Sequence, residues 1–200
     1  MKVYFVRHAE PNYDNHDDLT RELTEQGRKD ALLVTEFLKD KEIGTVWSSP
    51  YHRAIDTVKD FADKEGLSID TDHDFRERKV GDGWLEDFDS FAEKQWADFD
   101  FALEHGENLK TVQKRNLEAL KRVFARVKDS LEAAGKNIAI GTHGTALSTI
   151  VNYFDPTFGY GDFQRIVDLM PWIVELEFDG DRCVGVKEYD LFRKTCLERL

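Results

Sequence analysis

The chain has 200 residues, 40% of them hydrophobic, with 14 Phe, 6 Tyr and 4 Trp; this suits one domain with a substantial core rather than several. A net charge of −12 argues against nucleic acid or an anionic membrane as the main partner, and means that any anionic ligand needs a locally basic pocket. Cys183 and Cys196 are the only cysteines and lack CxxC spacing, which argues against a disulfide framework or structural zinc.

Lys2 to Val6 is short, apolar and β-rich, the pattern of a buried strand. Asn12 to Arg21 is polar, acidic and without period, and is expected to be a loop. Thr24 is a candidate N-cap for a helix on which Leu33/Phe37 and Val34/Leu38 recur at helical spacing. Thr45 to Ser48 is a second strand. Ser49-Pro50 then suggests a cap and a first-turn proline for a helix ending near Gly66. A short strand is expected over Ser68 to Thr71. Phe75 to Asp87 is irregular, Phe88 to Leu103 has helical spacing, and Gly106 breaks it. A long helix is expected from Asn108 to Ala133, stopped by Gly135. Ile138 to Ile140 is a strand and Thr145 to Tyr153 a helix. Asp155 to Gly161 is a loop. Ile173 to Phe178 and Cys183 to Glu188 flank Asp179-Gly180-Asp181 as a hairpin. Leu191 to Leu200 has no assigned role.

Strands alternate with helices, so the expected class is α/β: one three-layer domain over residues 1–200, with a mostly parallel central sheet, helices on both faces and an antiparallel edge near the C-terminus. Residues 75 to 105 are expected to form an insertion covering one end of the sheet. No leader pattern and no apolar run of about 20 residues is visible, so a soluble cytoplasmic location is expected.

Arg7-His8, Ser48-Ser49 and Thr142-His143 each follow a strand directly. In open α/β sheets ligands gather at the carboxyl ends of strands, which places these pairs at one rim. Arginine offers a rigid, permanently charged fork that suits phosphate oxygens, so Arg7 and Arg53 are candidate phosphate ligands, with His143 as a further donor. The helix expected to begin after Gly144 would aim backbone N–H groups at the same place. His8 is the candidate nucleophile, since neighbouring arginines favour the neutral imidazole. Glu77 is the candidate proton donor. His16-Asp17-Asp18 lacks metal-site spacing, and no metal or cofactor is expected. His16, His52, His73 and His105 are expected at the surface. Trp84 or Trp96 could line the leaving-group pocket, and Arg115 is expected to be structural.

With these motifs in order, the chain resembles the histidine phosphatase superfamily, in its phosphoglycerate-mutase-like branch. The resemblance rests on Arg7-His8-Ala9-Glu10, Leu23-Thr24-Glu25-Gln26-Gly27, Ser48-Ser49-Pro50-Tyr51-His52-Arg53-Ala54, Phe75-Arg76-Glu77 before Gly81, and Thr142-His143-Gly144. It implies that His8 is phosphorylated, that Glu77 donates the proton, and that Arg7, Arg53 and His143 hold the phosphate. Ala9 stands where the family has glycine. Asp14 stands where it often has a phosphate-contacting asparagine, leaving Asn15 or Asn12 as substitutes. The short acidic Asp17 to Arg21 stretch replaces the tryptophan-rich segment of mutases. The expected function is therefore a metal-independent phosphomonoesterase acting on a small phosphorylated substrate. The alternatives are a phosphoglycerate-type mutase and a catalytically idle phospholigand-binding protein.

Overall fold

The computed structural model describes residues 1–83, 85–130 and 135–200. Expectations that fall on Trp84, Leu131 and Ala133 lie outside them. The organising element is β1 (Lys2–Arg7), whose residues from Val3 onward are buried on both sides. Val3 and Phe5 enter one core and Tyr4 and Val6 the other. A strand buried on both faces lacks the polar alternation of a half-exposed one, which is why Lys2 to Val6 is legible as continuous apolar chain.

Seven strands form one sheet in the order β3-β2-β4-β1-β5-β6-β7. Here β2 is Ile43–Ser48, β3 Ile69–Thr71, β4 Asn137–Thr142, β5 Trp172–Asp179, β6 Arg182–Asp190 and β7 Thr195–Glu198. The first four strands run parallel, and the last three form an antiparallel edge. Helices α1 (Glu25–Leu38) and α2 (His52–Glu65) cover the Tyr4/Val6 face. Helices α3 (Phe88–Ala97), α4 (Leu109–Lys128), α5 (Gly144–Phe154) and α6 (Tyr160–Ile166) cover the other. This is the expected mixed sheet with helices on both faces. Among the described residues no helix is long and apolar enough to cross a membrane.

Thr24 caps α1 as expected, accepting from the Gly27 amide. Gly27 is required by packing: a Cβ there would lie 2.1 Å from the Glu10 carbonyl oxygen. Four elements differ from expectation, the first being α4, which ends at Lys128 with Asp129 as its C-cap instead of running on to Ala133. α2 begins at His52, not after Ser49: Tyr51 is its N-cap, and the Ser49 hydroxyl meets His143 Nε2 at 2.8 Å while accepting the Tyr51 N–H at 3.3 Å. α3 stops at Ala97, where the extended backbone of Asp98 ends the periodic run before Phe99. Residues 160–166 form α6, a helix too short to show a period, in which Asp162 receives the Gly159 N–H.

The tail, without a role in the sequence, becomes β7 on the sheet edge. It delivers Arg199 into a buried ion cluster with Glu188, Asp155 and Asp162. Asp155 is the C-cap of α5 and Asp162 lies in the first turn of α6, so one side chain ties both helices to the sheet. Removing a single partner from a buried cluster leaves uncompensated charge, which costs about 3 kcal/mol. Arg199→Ala should lower unfolding stability by about that amount in urea titrations. A change no larger than that of an exposed ion pair, about 0.5 kcal/mol, would show that the cluster contributes nothing special.

Candidate active site

The neighbouring strands β2, β4 and β1 end at the same edge, and their backbones are stitched together there. The His8 N–H donates to the Thr142 carbonyl (3.0 Å), and the Ser49 N–H to the Gly141 carbonyl (2.8 Å). Parallel pairing in this register brings Arg7-His8 beside Thr142-His143. The His8 and His143 rings meet edge to face with centroids 5.3 Å apart. His8, Arg7, Arg53, Glu77 and Gly144 line a cavity of about 710 Å³. His143 is fully buried against His8 and Tyr51.

The His8 Nδ1 lies 2.8 Å from the Ala9 carbonyl oxygen. A carbonyl only accepts, so Nδ1 carries the proton and Nε2 keeps its lone pair. Burial first, then the Arg53 and Arg7 guanidinium groups, hold His8 well below the usual imidazole pKa. Burial, Arg53 and His8 do the same for His143. Ala9 fits without a left-handed backbone; its N–H donates to Thr57 Oγ1 (2.9 Å).

The arginines are held mostly by carbonyl oxygens. Arg7 donates through Nη1 to Ile166 and Leu169 and through Nη2 to Val167, at the C-terminal end of α6. Among the described residues its buried Nε has no hydrogen-bond partner, and neither has the buried His143 Nδ1. Arg53 donates to the Asp18 backbone oxygen (2.6 Å) and to its carboxylate (3.2 Å). Arg21, which the sequence did not single out, also lines the cavity, donating to the Asn15 carbonyl and pairing with Asp18. Its signal was a lone cation closing an acidic run. Gly144 lets Arg7 lie close: a Cβ at position 144 would meet the Arg7 Cζ at 3.1 Å.

Glu77 is fixed differently from expectation. Its carboxylate takes the amides of Thr145 (3.0 Å) and Ala146 (3.0 Å) in the first turn of α5, and the amide of Arg78 (2.7 Å). The positive end of that helix therefore faces a protein carboxylate, and two of its N–H groups are engaged before any ligand arrives. Arg115 pins the backbone beneath, donating to the carbonyls of Asp74, Arg76 and Glu77 while its other nitrogens hold Glu107.

Asn15 does not reach the cavity. Its side-chain NH₂ donates to Glu22 and its side-chain Oδ1 accepts the Asp17 N–H, so it braces the loop; Asn12 likewise binds Glu22. Trp96 packs among Phe99, Phe158 and Phe163 rather than in the pocket, where Phe88 and Phe163 form part of the wall. His16, expected as a plain surface residue, stands on the cavity lining, as does Tyr13.

A model of the histidine phosphatase superfamily (branch 1) matches residues 3–190, and the chain belongs to that family. A Hydrogenobacter thermophilus protein named "Putative phosphoserine phosphatase 2" is 30% identical over 156 residues, 75% of this chain and 76% of that one. Among solved structures, Bacillus stearothermophilus YhfR is 25% identical with a TM-score of 0.73, covering 92% of this chain and 94% of that one. A mycobacterial glucosyl-3-phosphoglycerate phosphatase has a TM-score of 0.72 at 19% identity, covering 98% of this chain and 96% of its own, and shares the fold.

The depressed imidazole pKa values have a pH signature. In the unfolded chain both histidines bind protons near pH 6.5, whereas in the folded protein they stay neutral well below it. The unfolded state then binds more protons, so stability is complete above about pH 6.5 and falls as pH drops below it, by up to about 1.4 kcal/mol per unit for each histidine. Urea midpoints at pH 7.5 and 5.5 should differ accordingly. An unchanged difference in His8→Asn/His143→Asn protein would assign the loss to other groups.

Proposed function

We propose that the chain is a metal-independent phosphomonoesterase that works through a phosphohistidine on His8, with residues 1–200 acting as one domain and the 75–105 segment covering the site. The observation that carries this is a neutral, buried imidazole with a free Nε2, set in a cavity lined by Arg7, Arg21 and Arg53. Nε2 attacks phosphorus while the ester P–O bond breaks. Arg7, Arg53 and His143 stabilise the oxygens of the transferring group, and the unpartnered Arg7 Nε and His143 Nδ1 are suited to that task. Glu77 gives a proton to the departing oxygen. Water then attacks phosphorus, Glu77 takes a proton from it, and the P–N electron pair returns to Nε2. The likeness to a protein named as a phosphoserine phosphatase supports a small phosphorylated substrate.

The test is phosphate release from a panel of monoesters, with label trapping. Labelled substrate should leave an acid-labile, base-stable phosphoryl group on denatured protein, and His8→Ala should lose both label and turnover. Glu77→Gln should lower kcat by roughly 10²–10⁴-fold. EDTA should leave turnover unchanged; loss of activity on chelation would reject the metal-free route. Label returned to a second hydroxyl instead of released phosphate would assign a mutase. Tight phosphoester binding without label would assign a binding protein.

A further inference from the structure

Arg7 is seated without a carboxylate: carbonyl oxygens at the end of α6 hold its guanidinium and leave its charge intact. Arg53 and Arg21 have carbonyl seats of the same kind. Arg53 Nη1 donates to the Asp18 backbone oxygen at 2.6 Å, and its Cζ lies 5.0 Å from the centroid of the Tyr51 ring. Arg21 Nε donates to the Asn15 carbonyl at 2.7 Å. Yet both guanidinium groups also meet one further atom, Asp18 Oδ1, which lies 3.2 Å from Arg53 Nη2 and 3.2 Å from Arg21 Nη1. These contacts are longer than the roughly 2.7–2.9 Å usual between a guanidinium and a carboxylate. Asp18 lines the same cavity as His8, and its side chain is 52% exposed, whereas both arginines are buried.

The loop is fixed without that carboxylate. Asp17 Oδ1 takes the N–H (2.8 Å) and the hydroxyl (2.9 Å) of Thr20. The Arg21 N–H donates to the Asp17 carbonyl (2.9 Å), and the His52 N–H to the Leu19 carbonyl (3.0 Å). What the Asp18 side chain adds is charge. Two buried guanidinium groups side by side repel, and they are costly without an anion. The charges of Arg53, Arg7 and Arg21 all bear on His8, so an anion on Arg53 and Arg21 is an anion beside the nucleophile. A phosphoryl dianion carries more charge and three strong acceptor oxygens, and it competes for those donors against a half-exposed carboxylate whose own pairing is weak.

We propose that Asp18 is an exchangeable counter-ion of the empty site: an entering phosphoryl group displaces its carboxylate from Arg53 and Arg21 into solvent, and the carboxylate returns as inorganic phosphate leaves. This rests on the phosphate site proposed above and gives it a release device. The consequence is a ceiling on affinity. A ligand binds only those molecules whose carboxylate is disengaged, and its apparent Kd rises in inverse proportion to that fraction. A cavity lined by uncompensated arginines would retain its product, and release is often the slow step of an enzyme cycle. Asp18 therefore acts on the arginines and stays outside the chemical step.

The experiment titrates inorganic phosphate and orthovanadate calorimetrically at pH 7.5 and fixed ionic strength, so that binding is read without turnover. Asp18→Asn keeps the size of the side chain and removes its charge, Asp18→Ala removes both, and Asp18→Glu keeps the charge. The two uncharged variants should bind each anion roughly 3- to 10-fold more tightly than wild-type protein. Phosphate should become a correspondingly stronger product inhibitor. Asp18→Glu should stay within about 2-fold of wild type. Weaker binding in the uncharged variants would show that the carboxylate seats the arginines, and would overturn the proposal. Unchanged affinity would show that the carboxylate never leaves, and would overturn it equally. Wild-type protein that binds neither anion would overturn the phosphate site itself, and the counter-ion role with it.

Discussion

Burial of two uncharged imidazoles against guanidinium groups is the constraint on which this site depends. His8 and His143 are inside the protein, in contact with each other, and the charges nearest them are positive. Each would be mostly protonated in water at pH 6 and is kept neutral here by burial and the arginines. The arginines around them must also be kept from neutralisation. A carboxylate partner would cancel the field a phosphate needs, and Arg7 instead rests on the carbonyls of Ile166, Val167 and Leu169. Carbonyl dipoles orient a guanidinium and leave its net charge intact. Asp18, whose side chain is about half exposed, is the exception, shared between Arg53 and Arg21. The result is a positive cavity in a chain whose net charge is −12.

The same economy of contacts governs the opposite wall. Glu77 is anchored at the side chain by α5 and at the backbone by Arg115, which reaches across from α4. α5 follows His143 directly, so the carboxylate and the second imidazole are positioned by the same helix start. Its far end is fastened to the antiparallel edge through Asp155 and Arg199. Placement of the imidazoles and of Arg7 and Arg53 is therefore a property of the sheet and its helices, while the 75–105 segment supplies Glu77 and part of the outer wall.

Much of this was legible in the chain. The buried strands, the Thr24 cap and the meeting of Arg7-His8 with Thr142-His143 follow from apolar runs and local patterns, whereas Arg53 and Glu77 were tied to the site by the chemistry of phosphoryl transfer and by motif order. What was missed shares a physical cause: residues whose role is set by tertiary partners. Ser49 looked like a helix cap because its neighbour is proline; its hydroxyl accepts only the Tyr51 N–H ahead of α2 and also meets His143. Asn15 looked like a phosphate contact by position, and Glu22 claims it. Arg21 lies in a segment without periodicity, where nothing local distinguishes a buried cation from a solvated one. α6 spans only seven residues, and β7 acquires meaning only from the edge of β6 on which it lies.

The contact between Gly144 and the Arg7 guanidinium limits what either turn can become. The two positions are far apart in the sequence, yet a Cβ at 144 would lie 3.1 Å from the Arg7 Cζ, so any side chain there obliges the guanidinium to give by a few tenths of an ångström. A change in one turn is therefore felt in the other, and the Arg-His and His-Gly turns are coupled by shape as well as by the His8 N–H donated to the Thr142 carbonyl.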